Sequence, residues 1–91
     1  MRIDLHPRLR KRVAKWSAAD RELIAAFLRA LDDGFGRPHL HAGIGIRRLR
    51  KDLFECRAGL HWRFVFFAEK GVLTAYDVMT HDEVKAWLRS F

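Results

Sequence analysis

Two arginines, Arg57 and Arg63, stand on either side of a short turn, and their side chains suit the binding of an anion. Both lie in segments whose hydrophobic pattern predicts β-strands, so a hairpin would bring them together. A guanidinium group is planar and can donate two parallel hydrogen bonds to one phosphate. The sequence therefore predicts a phosphate-binding pair of arginines on a rigid sheet.

The register of the predicted hairpin determines which residues of the two strands face each other. If Ala58 pairs with Trp62, Arg57 lies directly opposite Arg63. Like charges that face each other destabilise a strand pair, so this arrangement requires an explanation. Either neighbouring carboxylates neutralise both arginines, or the pair binds an anionic ligand.

The carboxylates that could neutralise the pair are Glu55 and Asp77. A pairing of Ala68 with Val72 in the next hairpin would set Asp77 opposite Arg63. Exposed ion pairs of this kind are common and contribute little stability. The same carboxylates could also orient the arginines until a ligand binds, so both interpretations stay open.

The net charge of the chain favours an anionic partner. Eighteen Lys and Arg residues against eleven Asp and Glu residues give a formal charge of +7 and a pI near 10.5. Such a balance favours nucleic acid or an acidic protein as partner, although a GC-rich genome also raises arginine content. The basic stretch Arg8–Lys15 could lie on nucleic acid or on a membrane surface, or could be a solvated helix face.

Length and composition exclude several classes of protein. Residues 1–91 are expected to form one domain, and Phe64–Ala68, the longest apolar run, is far too short to span a membrane. A signal peptide is not apparent at the charged N-terminus, so a cytoplasmic location is expected. Cys56 alternates onto the core face, and His39 and His41 lack the spacing of a zinc site, so neither a metal nor a cofactor is expected.

Hydrophobic periodicity predicts an α+β fold with the order β-α-α-β-β-β-α. The chain should form one antiparallel sheet of three hairpin-linked strands, with the helices packed on one face. The predicted elements are a strand around Ile3 and Leu5, helices over Arg8–Lys15 and from the Ser17 cap to Gly34, strands over Leu53–Ala58, Trp62–Ala68 and Val72–Met79, and a helix capped by Thr80 and Glu83. Ile46–Arg50 could add a further strand.

Alternation along these strands divides their side chains between two faces. The face under the helices should carry Phe54, Cys56, Trp62, Phe64, Phe66, Tyr76 and Val78. The open face should carry Glu55, Arg57, Arg63, Val65, Phe67, Leu73, Ala75 and Asp77.

The order of elements and several short motifs resemble the RelE/ParE toxin superfamily. The motifs are Arg48–Arg50, Asp52–Arg57, the aromatic-arginine-hydrophobic strand Trp62–Phe66, and the exit Val78–Val84 into the last helix. The resemblance spans nearly the whole chain and implies a RelE-like fold. It also implies the toxin of a type II toxin–antitoxin pair. The RelE-like branch consists of ribosome-dependent mRNA endonucleases, whereas the ParE-like branch inhibits DNA gyrase.

The resemblance assigns roles by position. Arg63, Arg57 and His81 would form the catalytic site, with His81 as acid–base group; the alternative for His81 is a solvated first-turn residue beside the Thr80 cap. The residues that would bind RNA or the ribosome through phosphates are Arg47, Arg48, Arg50 and Lys51. The implied partners are an acidic antitoxin, whose tail could cover the apolar residues of the open face, and the ribosome or mRNA; no membrane is expected.

Two positions depart from the family pattern. Glu55 and Arg57 stand where nuclease members carry two basic residues, and Trp87 stands where their last helix offers a tyrosine. Three functions therefore compete: an mRNA endonuclease, a gyrase-binding toxin of the ParE kind, and an inactive member of the family.

Overall fold

The computed structural model describes residues 2–34, 45–58 and 61–90. The connector expected over 35–44, with His39 and His41, and most of the turn expected at 59–61 lie outside these ranges. The elements are β1 (Arg2–Leu5), α1 (Pro7–Val13), α2 (Ala18–Gly34), β2 (Arg47–Arg48), β3 (Leu53–Ala58), β4 (Trp62–Glu69), β5 (Val72–Thr80) and α3 (His81–Arg89). No helix within the described ranges is long and apolar enough to cross a membrane.

The five strands form one sheet in the order β1-β5-β4-β3-β2. The α+β class and the predicted order of elements are confirmed. The sheet is mixed rather than wholly antiparallel, because β1 pairs in parallel with β5 at one edge. The strand suggested over Ile46–Arg50 is present as the short β2 at the other edge.

Helices α1 and α2 cover one face of the sheet. Leu9 of α1 and Ile24 and Leu31 of α2 are buried against this face. The buried sheet residues of this cluster are Cys56, Phe64, Phe66, Leu73, Ala75 and Val78. Most of the predicted core face is therefore confirmed, and Cys56 lies in it.

Helix α3 lies on the opposite face. Val65 and Met79, which alternate away from the main core, are buried together with Val84 of α3. This corrects the expectation that every helix shares one face. The amphipathic pattern of α3 identified the residues that it buries, but it could not identify which face receives them.

The hairpin between β4 and β5 turns over two residues instead of three. Lys70 and Gly71 both have positive φ, 46° and 81°, and Glu69 pairs with Val72. Two-residue turns with both central residues in this region match the natural twist of the flanking strands. The predicted pairing of Ala68 with Val72 is therefore wrong by one residue.

A β-bulge then shifts the register again. Phe66 pairs with Ala75, whereas Val65 pairs with Asp77, so Tyr76 is the extra residue on β5. The shorter turn brings Ala75 into the main core, and Leu73 with it, although both were expected on the open face. The bulge also places Tyr76 beside α3 instead of in the main core.

The predicted capping box at the start of α3 is confirmed. The Thr80 hydroxyl accepts a hydrogen bond from the Glu83 backbone N–H at 3.2 Å, and the Thr80 N–H donates to Glu83 Oε1 at 2.9 Å. This backbone hydrogen bond holds the pKa of Glu83 below its usual range. The cap fixes where β5 ends and the helix begins.

Candidate anion-binding site

Arg57 and Arg63 are cross-strand neighbours, as the sequence predicts. They lie near the end of the β3–β4 hairpin, on the face that also carries Val65. Arg57 is exposed and Arg63 is half-buried. Their strands hold the two side chains on one surface, one strand spacing apart.

Each arginine is also held by its surroundings. Arg63 donates from Nη1 to the Trp62 carbonyl at 3.2 Å. The stem of Arg57 packs beside Gly45, where an added Cβ would lie 3.4 Å from Arg57 Cγ. Gly45 has a φ of +66°, which a residue with a side chain rarely adopts. Both the backbone and the close contact therefore favour glycine there.

The carboxylates expected to neutralise the pair are bound elsewhere. Glu55 Oε1 forms an ion pair with Arg47 Nη2 at 2.8 Å, and Asp77 is paired with two arginines of α1. Within the described residues, no carboxylate forms an ion pair with Arg57 or Arg63. The expectation that Asp77 faces Arg63 is wrong, because the shortened turn and the bulge place Met79 opposite Arg63.

Asp77 is the centre of a buried ion network. Its side chain is fully buried, and Arg8 Nε and Arg12 Nε each approach a different carboxylate oxygen at 2.8 Å. The Val78 N–H donates to Asp77 Oδ1 at 2.8 Å. Because β1 ends at Leu5, α1 packs against β5 beyond that point and brings these arginines to Asp77.

The network reaches the start of α3 and an aromatic ring. Arg12 Nη2 lies 3.6 Å from Glu83 Oε2, and Arg8 lies over the ring of Tyr76 with its Cζ 5.3 Å from the centroid. The hydrogen bond to Asp77 raises the pKa of Arg8. Two cations of the predicted basic helix are therefore bound within the protein, while Arg10, Lys11 and Lys15 stay exposed.

The four predicted RNA-binding residues follow one another around β2. Arg47 is ion-paired with Glu55, and Arg48 lies over the Phe54 ring at 5.4 Å. Arg50 donates to the Leu49 carbonyl at 2.9 Å, and Lys51 is exposed. All four side chains reach solvent, so the β2 edge of the sheet carries a basic rim.

His81 is the first residue of α3 and is exposed. Its neighbour Thr80 pairs with Trp62, next to Arg63 in β4. The structure thus brings His81 to the same end of the sheet as the arginine pair.

The sequence did not indicate that Glu55 would be buried. Glu55 is only 5% exposed, and its Oε2 atom has no hydrogen-bond partner among the described residues. Alternation placed Glu55 on an open face, and no sequence pattern showed that this face would be covered.

The apolar surface expected to receive an antitoxin tail is smaller than predicted. Val65, Leu73 and Ala75 are buried, and only Phe67 stays partly exposed. Phe67 lines a groove of about 520 Å³ at the other end of the sheet, together with His6, Glu69, Lys70, Val72, Thr74 and Tyr76.

The single cysteine is not suited to nucleophilic chemistry. Cys56 is buried, and desolvation raises the pKa of its thiol to about 12. Among the described residues no group of three His, Cys, Asp or Glu side chains could hold a metal ion.

The fold is that of the RelE/ParE toxins, as a comparison with solved structures shows. The chain superposes on RelE of the RelE–RelB complex from Pyrococcus horikoshii OT3 with a TM-score of 0.70 and 16% identity, covering 87% of this chain and 92% of that one. Comparison with YafQ from E. coli gives a TM-score of 0.67 and 17% identity, covering 92% and 98% of the two chains.

A YoeB/ParE toxin from Agrobacterium tumefaciens is similar as well, with a TM-score of 0.66, 19% identity, and coverage of 89% and 99%. No family model and no curated protein sequence matches the chain. The RelE-like fold that the resemblance implies is therefore confirmed.

Proposed function

We propose that this chain is the toxin of a type II toxin–antitoxin pair and that it cleaves mRNA on the ribosome. The observation that carries the proposal is the Arg57–Arg63 pair, which lies on a rigid sheet without a carboxylate partner among the described residues. Two guanidinium groups one strand spacing apart are suited to one phosphate. The RelE/ParE fold supports the toxin role, and RelE crystallised with RelB supports a protein partner, for which we propose an acidic antitoxin.

The proposed chemistry is attack of a ribose 2′-hydroxyl on the adjacent phosphate. Negative charge grows on the phosphate oxygens in the transition state, and Arg63 and Arg57 would stabilise it. A proton must also leave the attacking hydroxyl and reach the leaving oxygen. His81 would transfer protons, because an imidazole ring can both accept and donate a proton. Messages and ribosomes are cytoplasmic, so the site of action would be the cytoplasm.

The basic rim around β2 would bind the backbone of the message. Replacing both Arg50 and Lys51 with alanine is expected to weaken binding of single-stranded RNA to the same extent for every sequence. Each lost phosphate contact should lower the slope of log K against log salt by about 0.7, so the double variant should lose about 1.4. Fluorescence anisotropy over a salt series measures this slope.

The control for the rim is Arg21→Ala, because Arg21 is an exposed arginine on α2, a helix of the other sheet face. This control should leave the slope unchanged. An unchanged slope in the Arg50/Lys51 double variant would show that the rim does not contact RNA.

Purified full-length protein separates the competing functions. With ribosomes and a message, we expect new 5′ ends within the reading frame by primer extension, and no cleavage when ribosomes are omitted. Normal translation together with inhibition of gyrase supercoiling would instead establish the ParE-like function. Neither activity, in protein that binds the product of a neighbouring gene for a small acidic protein, would establish an inactive member.

A further inference from the structure

The carboxylate of Glu55 is buried, and its two oxygen atoms differ in their partners. Oε1 forms an ion pair with Arg47 Nη2 at 2.8 Å, whereas Oε2 has no hydrogen-bond partner among the described residues. The Glu55 side chain is only 7% exposed, so bulk solvent has little access to it. Leaving a buried acceptor unpaired lowers stability, so each such atom in a native protein calls for an explanation, of which a role in binding is one.

The position of Glu55 connects it to the arginine pair. Arg57 is two residues along β3 on the same face, and Val65 is directly opposite Glu55. Arg63 is therefore the diagonal neighbour of Glu55, and diagonal neighbours lie within reach of long side chains. Neither Arg57 nor Arg63 donates to Glu55 in the structure. Two arginines that reach solvent thus lie beside a buried carboxylate oxygen that has no hydrogen-bond partner among the described residues.

This combination matches a ribose phosphate better than a phosphate alone. A carboxylate repels a phosphate, so it is unfavourable beside a phosphate site unless a donor group lies between them. A ribose 2′-hydroxyl adjoins the phosphate in RNA and can donate a hydrogen bond, whereas DNA lacks this group. Sites built to bond a hydroxyl discriminate strongly against analogues without it.

We infer that Glu55 Oε2 accepts a hydrogen bond from the ribose 2′-hydroxyl of an RNA whose phosphate is bound by Arg57 and Arg63. The inference rests on the proposed function and names what the site selects, which is RNA rather than DNA. Binding requires the side chains around Oε2 to rearrange. Arg57 is exposed and the Arg47 side chain is 66% exposed, and side-chain rotamers at interfaces commonly change on binding.

The test compares one short single-stranded RNA with the DNA of the same sequence, both labelled for fluorescence anisotropy at fixed low salt. The full-length protein should bind the RNA about tenfold more tightly than the DNA. Glu55→Met has a similar size but lacks the acceptor, so it should reduce this ratio to near one. Glu55→Gln keeps an oxygen acceptor and should keep part of the preference.

The ratio is the decisive quantity, because removing a negative charge strengthens binding of both oligomers equally. Glu69→Met is the matched control: Glu69 is exposed at the other end of the same face, so its ratio should equal that of the unmodified protein. Glu55→Met replaces a buried carboxylate with an apolar side chain of similar size, and the arginine left behind, Arg47, is 66% exposed and can be solvated. The variant is therefore expected to fold, which thermal unfolding checks. A denaturing gel confirms that the RNA stays intact during the measurement.

An unmodified protein without preference for RNA, or a Glu55→Met variant that keeps the full preference, would overturn the inference. The ribosome assay reports the proposed function separately. If Glu55→Met still cleaves mRNA and its ratio of RNA to DNA affinity is unchanged, only the role of Glu55 is excluded. If the unmodified protein cleaves no mRNA but Glu55→Met loses the preference for RNA, only the nuclease function is excluded.

Discussion

Replacing both Arg8 and Arg12 with alanine is expected to lower the free energy of unfolding by about 3 kcal/mol. The reason is that Asp77 is fully buried and that these arginines are its ion-pair partners among the described residues. Removing the partners of a buried charge leaves that charge uncompensated, which costs about 3–5 kcal/mol. The lower end applies because Arg8 and Arg12 are partly exposed, at 44% and 30% of their side-chain surface. Urea denaturation followed by circular dichroism measures the loss.

Two further variants separate the ion network from a general effect on α1. Arg10→Ala removes an exposed arginine from the same helix and should change stability by no more than about 0.5 kcal/mol. Adding Asp77→Asn to the Arg8/Arg12 double variant removes the uncompensated charge and should recover part of the loss. A double variant as stable as the unmodified protein would show that Asp77 does not depend on α1.

Replacing Arg63 with alanine is expected to reduce ribosome-dependent cleavage of mRNA by about 10²–10³-fold. Removal of one donor that stabilises transition-state charge has effects of this size. Arg63→Lys keeps the positive charge but loses the planar guanidinium group. Its cleavage rate should therefore lie between that of the unmodified protein and that of Arg63→Ala. Single-turnover primer extension, at saturating ribosome concentration, measures the rate.

Arg21→Ala, on the opposite side of the sheet, is the matched control and should cleave at the unmodified rate. Because Arg63 is half-buried, thermal unfolding must show that the variant is folded. A folded Arg63→Ala variant with full activity would exclude Arg63 from the site.

The part of the site formed by β3 and β4 could be predicted from sequence. The turn expected at 59–61 pairs Ala58 with Trp62, and the Arg57–Arg63 pairing that follows from it is confirmed. The register of β5 could not be predicted in the same way. It depends on Lys70, a non-glycine residue with positive φ, and on a bulge that has no signature in the sequence.

The sequence also could not predict which cations the carboxylates pair with. Asp77 lies on the predicted face, but its partners come from α1, more than sixty residues away in the chain. Only the path of α1 along β5 brings those arginines to it. The burial of Glu55 likewise depends on tertiary structure. Local patterns therefore predicted which residues share a face, and tertiary packing decided which charges meet.

The contrast between Asp77 and the arginine pair has an evolutionary consequence. A change at Asp77 leaves Arg8 and Arg12 without their acceptor. A change at either arginine removes one partner of the buried Asp77 carboxylate. These three positions should therefore vary together among homologues and be lost together. Arg57 and Arg63 have no carboxylate partner among the described residues, so selection by a ligand is what would keep them. We therefore expect covariation among Asp77, Arg8 and Arg12, and invariance without covariation at Arg57 and Arg63.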